Sequence, residues 1–357
     1  MGRARLRELG ISVGQLPTGP LNAITDVAGV RVGHSTIIHD KPSIARTGVT
    51  AIWPGGDDTW ARAVFAAYHS FNGNGEMTGT IWIDEQGLLA SPFCITNTHS
   101  VGVVRDALVA YAVKHKVAQD WHLPVTAETY DGWLSDAESF PVTQEHAFAA
   151  LDNAASGPVS EGNVGGGTGM ICHDFKGGIG TASRLVATAG TTFTVGALVQ
   201  ANYGARELLR VDGVPVGREI GLTEVPSARH VPQSEGSIIV VLATNAPLLP
   251  IQCKRLARRA TSGLAWVGGI GSNGSGDIFL AFATGNRIPR DKPVVDTRMV
   301  APDQMTPLFQ GAAEATEEAI LNALTAAETM TGFQGRTVHA LPLDPLQAAM
   351  RKYGRLR

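Results

Sequence analysis

Residues 237–243, Ser-Ile-Ile-Val-Val-Leu-Ala, form a run that is apolar and unalternating after its first serine. A run this long and this rich in β-branched residues reads as a strand covered on both faces, so the fold must supply a packed layer on either side of it. Just before it, residues 205–236 are charged, carry Pro215, Pro226 and Pro232, and show no sustained apolar period. That stretch predicts an exposed connection. Ser237 therefore opens a rigid buried strand at the end of a long link.

The rest of the chain fits a layered arrangement. Short β-rich segments at 27–36, 49–53, 79–83 and 88–95 are each bounded by Gly, Pro, Asn or Asp. Residues 101–117 read as a helix, with apolar residues at 104, 108 and 111, and a second helix is expected at 144–154. Strand patterns return at 179–187 and 192–200. Beyond 237–243 come a helix over 249–265, a strand over 277–283 and a long Ala/Glu helix over about 307–330. Strands and helices arrive in blocks, which predicts an α+β protein of stacked sheets covered by helices. With 357 residues, 44% of them hydrophobic, one large domain over 1–357 can bury a sizeable core.

Several function classes drop out. A net charge of −3 leaves no electrostatic footprint for nucleic acid or an anionic membrane. No apolar run approaches the roughly 18 residues of a membrane span. The basic N-terminus has no apolar stretch behind it and does not read as a signal peptide. Cys94, Cys172 and Cys253, odd in number and without metal-type spacing, predict buried thiols in a reducing, cytoplasmic setting. Gly269-Ile-Gly-Ser-Asn-Gly274 matches a dinucleotide fingerprint, but a helix precedes it and a strand follows, the reverse of what that site needs. Gly165-Gly-Gly-Thr-Gly169 lacks the Lys-Ser/Thr ending of a phosphate loop. Gly33-His-Ser-Thr-Ile37 lacks the closing glycine of a nucleophile elbow. His34 and His99 are polar candidates for which a structural role is the simpler expectation.

Gly236-Ser237 stands apart because of its position. A Gly-Ser pair at a strand start is ordinarily a turn. Here Gly236 offers a carbonyl with no side chain to obstruct attack, and the strand would hold a new amino terminus rigidly. An N-terminal serine brings its own base, since an α-amino group titrates at about 7.7–8.0 and can take the hydroxyl proton.

Eight ordered segments then carry a resemblance along nearly the whole chain. They are Asn22-Ala-Ile-Thr-Asp-Val-Ala-Gly-Val-Arg-Val-Gly-His34, Ile95-Thr-Asn-Thr-His-Ser-Val-Gly102, Ala127-Glu-Thr-Tyr-Asp-Gly132 and Gly162-Asn-Val-Gly-Gly-Gly-Thr-Gly-Met170. Gln200-Ala-Asn-Tyr-Gly204, Gly236-Ser-Ile-Ile-Val-Val241, Asn273-Gly-Ser-Gly-Asp-Ile-Phe-Leu-Ala-Phe282 and Thr337-Val-His-Ala-Leu-Pro342 complete the series. Together they resemble the L-aminopeptidase/D-esterase and β-aminopeptidase peptidases, the DmpA/BapA group. The resemblance implies a four-layer α/β/β/α sandwich, similar to the N-terminal-nucleophile hydrolases but with its own strand connectivity. It implies a precursor that cuts itself into an α chain, 1–236, and a β chain, 237–357, which assemble into a homo-oligomer, with a tetramer favoured.

The same resemblance implies roles. Ser237 matches the nucleophile and Asn202 the oxyanion residue, just past the strand at 192–200. Ser275 and Asp277 match a Ser/acid pair that would orient the new amino group, with Asp277 one methylene shorter than the Glu of some members. Glu128 would anchor the substrate's free amino group, Tyr130 would hydrogen-bond the reacting carbonyl or assist proton transfer, and Trp133 would wall the pocket. The Gly165–Gly169 cluster would let backbone approach substrate. The expected substrates are small peptides, amides or esters with an α-L, α-D or β-amino acid at the N-terminus, and no cofactor or metal is expected. Alternatives left open are an acyltransferase of the glutamate N-acetyltransferase kind, an amidase acting on ω-amino-acid oligomers, and a binding scaffold without activity.

Overall fold

The computed structural model describes residues 2–117, 121–227 and 236–356. In chain order its first strands are Arg31–His39 (β1), Ala45–Trp53 (β2), Arg62–Gly73 (β3), Leu88–Leu89 (β4), Phe93–Asn97 (β5) and Thr126–Thr129 (β6). Ile171–Cys172 (β7), Phe175–Lys176 (β8), Gly178–Thr188 (β9), Thr191–Asn202 (β10), Ser237–Thr244 (β11) and Gly276–Pro289 (β12) follow. The helices are Thr80–Gln86 (α1), Val101–Lys114 (α2), Gln144–Asp152 (α3), Val216–Glu219 (α4), Pro250–Ala257 (α5), Ala260–Val267 (α6), Thr306–Ala326 (α7) and Leu343–Lys352 (α8).

One sheet has the order β1-β2-β5-β6, parallel at the β5–β6 pair; the other runs β4-β3-β12-β11-β10-β9, parallel at β11–β12. Helices α2 and α3 cover the outer face of the four-stranded sheet, and α5, α6 and α7 cover that of the six-stranded sheet. The result is the expected α+β sandwich of four layers.

β11 shows why that arrangement is required. All eight of its residues are buried. Ile239, Val241 and Ala243 join Ile52, Ile95 and Ala127 in the core between the sheets. Ile238, Val240 and Leu242 point the other way, into the core shared with Leu256, Leu264 and Leu308. Fully burying each such aliphatic side chain contributes about 1.5–3 kcal/mol. No two-layer fold could cover both rows.

Several expectations from local pattern need correction. Residues 79–83 are not a strand: Gly79 and Gly87, both at positive φ (73° and 68°), bracket the short helix α1. The stretch 88–95 is split between the two sheets, as β4 and β5. The helix expected over 249–265 breaks into α5 and α6 at Arg258–Arg259. Strand β3, twelve residues long and lying between β12 and the two-residue β4 in the six-stranded sheet, was not anticipated from its Ala-rich pattern. The connection 205–236 is not simply exposed, because Leu209, Val211, Val214, Val216 and Ile220 are buried in the main core. Its section 228–235, including Pro232 and Glu235, lies outside the described residues.

Buried charges also tie the segments on either side of Gly236 together. Arg184 on β9 pairs with Glu314 at 3.0 Å and Glu318 at 2.7 Å on α7, and Arg7 reaches Glu318 at 2.7 Å.

Candidate active site

Strand register brings the predicted residues to one end of the six-stranded sheet. Asn202, the last residue of β10 rather than one beyond its end, pairs with Ser237, which pairs in turn with Gly276. Residues directly opposite on an antiparallel pair project to the same face. By alternation along β11 and β10, Ser237 and Asn202 both face the space between the sheets, in line with Ile239 and Leu198. Both are almost wholly buried.

The hydrogen bonds around Ser237 are short-range and specific. Gly276 N–H donates to the Gly236 carbonyl at 3.0 Å, and the same N–H lies 3.3 Å from Ser237 Oγ. One donor therefore serves both the carbonyl ahead of Ser237 and the serine hydroxyl. Gly236 is pressed against β10: a methyl group there would sit 2.1 Å from the Asn202 carbonyl oxygen. The Asn202 amide is held at both ends, with Nδ2 donating to the Tyr130 carbonyl at 3.0 Å and Ile171 N–H donating to Oδ1 at 2.8 Å. The Ile171 bond makes Nδ2 the end available toward the site.

Ser275 and Asp277 are paired, with Ser275 Oγ donating to Asp277 Oδ1 at 2.7 Å. Asp277 faces the helix side of the sheet, because Ile278, Leu280 and Phe282 take the inter-sheet side. The pair thus lies beside the backbone of β11 rather than beside the Ser237 hydroxyl. Burial pushes the Asp277 carboxyl up to about 6, partly offset by the Ser275 hydroxyl and the Ile238 N–H. A carboxyl at that value is poised to exchange a proton near neutrality.

Glu128, on β6, closes the site from the other sheet. Its Oε1 accepts from Glu76 N–H at 2.9 Å, and the Thr98 hydroxyl donates to Oε2. Burial raises its pKa, while Thr98 and the Glu76 N–H oppose that rise. A methyl placed on Gly75 would be 3.2 Å from both Glu128 Oε1 and Gly276 Cα, which shows how little separates this carboxylate from the partner of Ser237. Tyr130 is half exposed, its ring 6.1 Å from that of His99. Asp131 is fully buried behind it, where burial pushes its carboxyl up to about 7 despite Thr47 and Asn97 alongside.

Two expectations fare differently. Trp133 lies in a small cluster with Leu134, Ile171 and Val338, under the Arg336 guanidinium at 4.2 Å, and its link to Asn202 runs through Ile171. The Gly165–Gly167 turn is buried chain-on-chain packing and not a substrate surface: added methyl groups would meet Thr50 Oγ1, Gln200 Oε1 and Ile179 N at 2.1–2.4 Å. His34 is structural, bonded to Thr50 Oγ1 at 3.0 Å and driven down to about 4 by burial.

Sequence reasoning missed Thr98, Glu76 and Ile171 as holders of the site. It also missed Gln200, whose amide spans the sheets to Thr96 O and Thr129 Oγ1, each at 2.9 Å. Thr98 and Gln200 do sit inside the matching segments, but nothing in those segments says which neighbour each would meet.

The family model for peptidase family S58 matches residues 22–338. The chain is 49% identical to a β-peptidyl aminopeptidase of Sphingosinicella microcystinivorans, covering 99% of this chain and 93% of that one. Among solved structures it resembles a β-aminopeptidase of Burkholderia sp., with TM-score 0.92, 50% identity and coverage of 98% and 99%. It is similar at 48% identity and TM-score 0.92 to the L-aminopeptidase D-Ala-esterase/amidase of Ochrobactrum anthropi, covering 99% of each chain. That enzyme is described as a prototype serine aminopeptidase and a new variant of the Ntn hydrolase fold.

Proposed function

This chain belongs to peptidase family S58 and is a serine aminopeptidase, and from that premise we propose that it cuts itself between Gly236 and Ser237 and then works through Ser237 as an amino-terminal nucleophile. The observation that carries the proposal is the row Asn202–Ser237–Gly276, with one Gly276 N–H shared by the Gly236 carbonyl and the Ser237 hydroxyl.

In the uncut chain Ser237 Oγ attacks the Gly236 carbonyl carbon. Gly276 N–H stabilises the charge developing on the carbonyl oxygen. The C–N bond breaks, the hydroxyl proton ends on the departing nitrogen, and Gly236 is left as an ester on Ser237. Water then hydrolyses the ester, which gives a Gly236 carboxylate and a free Ser237 amine. The β10–β11 ladder and the Arg7 and Arg184 ion pairs to α7 keep the two pieces together.

In turnover the Ser237 amine takes the proton from its own hydroxyl, which attacks the substrate carbonyl. Asn202 Nδ2 turns from the Tyr130 carbonyl to the oxyanion, and the Tyr130 hydroxyl assists. Ser275 and Asp277 orient the amine and relay its proton, while Glu128 pairs with the substrate's ammonium group. The amine product departs and water releases the acyl group. Trp133 acts from behind Ile171.

The names of the relatives favour aminopeptidase activity over acetyl transfer or a non-catalytic scaffold, with β-amino acids and small α-amino acids as N-terminal residues. Three unpaired buried thiols accord with a cytoplasmic protein, and a homo-oligomer of αβ units, a tetramer first, completes the proposal. No helix among the described residues is long and apolar enough to cross a membrane.

A denaturing gel of the purified protein beside Ser237→Ala tests the core of this. Two bands for the parent, the smaller beginning Ser-Ile-Ile-Val, and a single inactive band for the variant are expected. A variant that still hydrolyses amino-acid amides overturns the proposal.

A further inference from the structure

On the helix side of the six-stranded sheet, behind the proposed site, Tyr203, Leu264, Gly269, Ser272, Ser275 and Asp277 line a small cavity. Tyr203 follows Asn202 directly, and its ring is buried, edge-to-face with His173 at 4.9 Å between ring centroids. The Tyr203 hydroxyl is buried and finds no hydrogen-bond partner in the protein. A buried hydroxyl left unpaired is costly, and in native folds such groups are met by protein or by ordered water. Tyr203 and Asp277 both line this pocket. The cavity is therefore polar at two points and has room for something water-sized.

We propose that one ordered water occupies this cavity, accepting from the Tyr203 hydroxyl and donating to the Asp277 carboxylate, which makes Tyr203 a positioning residue for the Ser275–Asp277 pair. The proposal rests on the reading of Asp277 as the partner of the Ser237 amine. Ser275 Oγ occupies Asp277 Oδ1, so a water bonded to the carboxylate completes its shell on the cavity side. By withdrawing charge from the carboxylate, this hydrogen bond favours the ionised form. Asp277 then stays a proton acceptor for the amine at neutral pH, and its side chain is held toward β11 rather than free to swing into the cavity.

The titratable neighbours decide how a pH measurement is read. Cys172, on β7, is pushed up to about 12 by burial. His173, beside Tyr203, is held down to about 4, with Glu207 acting on it from beyond. The Tyr203 phenol itself is raised far above neutrality by burial. Between pH 5 and 8, Asp277 and the Ser237 amine titrate. So do Lys176 on β8 beside Cys172, lowered to about 7 by burial, and Asp131 behind Tyr130, raised to about 7. A shift of the pH profile therefore counts as that of Asp277 only if Tyr203→Phe leaves the profile of an Asp277→Asn chain unmoved.

Tyr203→Phe removes the hydroxyl and nothing else, so the variant folds. Two outcomes of opposite sign follow from the two states of the hydroxyl. With the water in place, kcat falls about tenfold or more, KM moves less than twofold, and the acid limb of the kcat/KM profile shifts to higher pH. If the hydroxyl is a dry orphan, the variant melts at a higher temperature and keeps kcat and its profile, and the proposal is overturned. Turnover is counted per cut chain on the gel, so a slow variant is not mistaken for an uncut one. A parent chain that never cuts refutes the Ser237 reading by itself. A high-resolution crystal structure judges the water separately: density within about 3 Å of both Tyr203 Oη and the Asp277 carboxylate supports it, and an empty cavity refutes it.

Discussion

Gly236→Ala perturbs the self-cleavage step while leaving every proposed reacting group in place. The added methyl would lie 2.1 Å from the Asn202 carbonyl oxygen and 2.8 Å from Tyr203 Cα, backbone atoms at and just past the end of β10. Ordinary contact begins at 3.4 Å, so residue 236 must withdraw by about 1.3 Å. A shift of that size stretches the 3.0 Å bond from Gly276 N–H to the Gly236 carbonyl beyond hydrogen-bonding distance. Losing a neutral hydrogen bond costs about 1 kcal/mol, and overpacking costs about 1–3 kcal/mol. If both fall on the barrier, it rises by roughly 2–4 kcal/mol, which slows cutting about thirtyfold to a thousandfold. The assay is pulse translation in a cell-free extract, with precursor followed on a denaturing gel. Thermal melting checks that the fold survives, as it should, because Gly236 precedes the buried run. Cutting within about threefold of the parent rate would refute the argument that close approach to β10 and the Gly276 bond drive the step.

Two other perturbations test the site and the fold. Glu128→Gln keeps the size of the side chain but removes its charge, and KM for substrates with a free amino group should rise at least about tenfold with kcat little changed; unchanged KM on amino-acid p-nitroanilides would remove Glu128 from substrate binding. Asp131→Asn tests a buried carboxyl whose pKa rises from 3.8 to about 7 on folding. The unfolded chain loses that proton first as pH rises, so the parent has its full stability below about pH 4 and loses it progressively up to pH 7, by on the order of 4 kcal/mol at most. The variant should therefore melt higher than the parent at pH 8 and lose that advantage toward pH 4; an equal difference at both pH values would refute the assignment.

Much of the architecture was legible because it rests on local pattern. The run 237–243 demanded layers on both sides, and β11 has them. The helices at 101–117, 144–154 and 307–330 follow from the 3.6-residue period and appear as α2, α3 and α7. The failures share a cause as well. Residues 79–83, rich in Ile and Trp, have strand propensity, but two glycines at positive φ close them into α1, and Ile81 is left exposed. Propensity is a weak prior that packing overrides. The Ala-rich β3 carries no clear period, and its membership of a central sheet comes from its pairing with β12.

The chain order of Gly236-Ser237, Asn202, Ser275 and Asp277 is written in the sequence, together with the apolar run that makes Ser237 the head of a buried strand. Only the tertiary structure decides which of these groups meet. It aligns Asn202 and Gly276 on either side of Ser237 through strand register, turns Asp277 to the opposite face, and brings Glu128 across from a second sheet. It also assigns the glycine run to packing, where the sequence suggested a binding surface. The reason is that spacing along a chain specifies local conformation and side-chain alternation, whereas register, sheet pairing and burial are set by contacts between segments far apart in sequence.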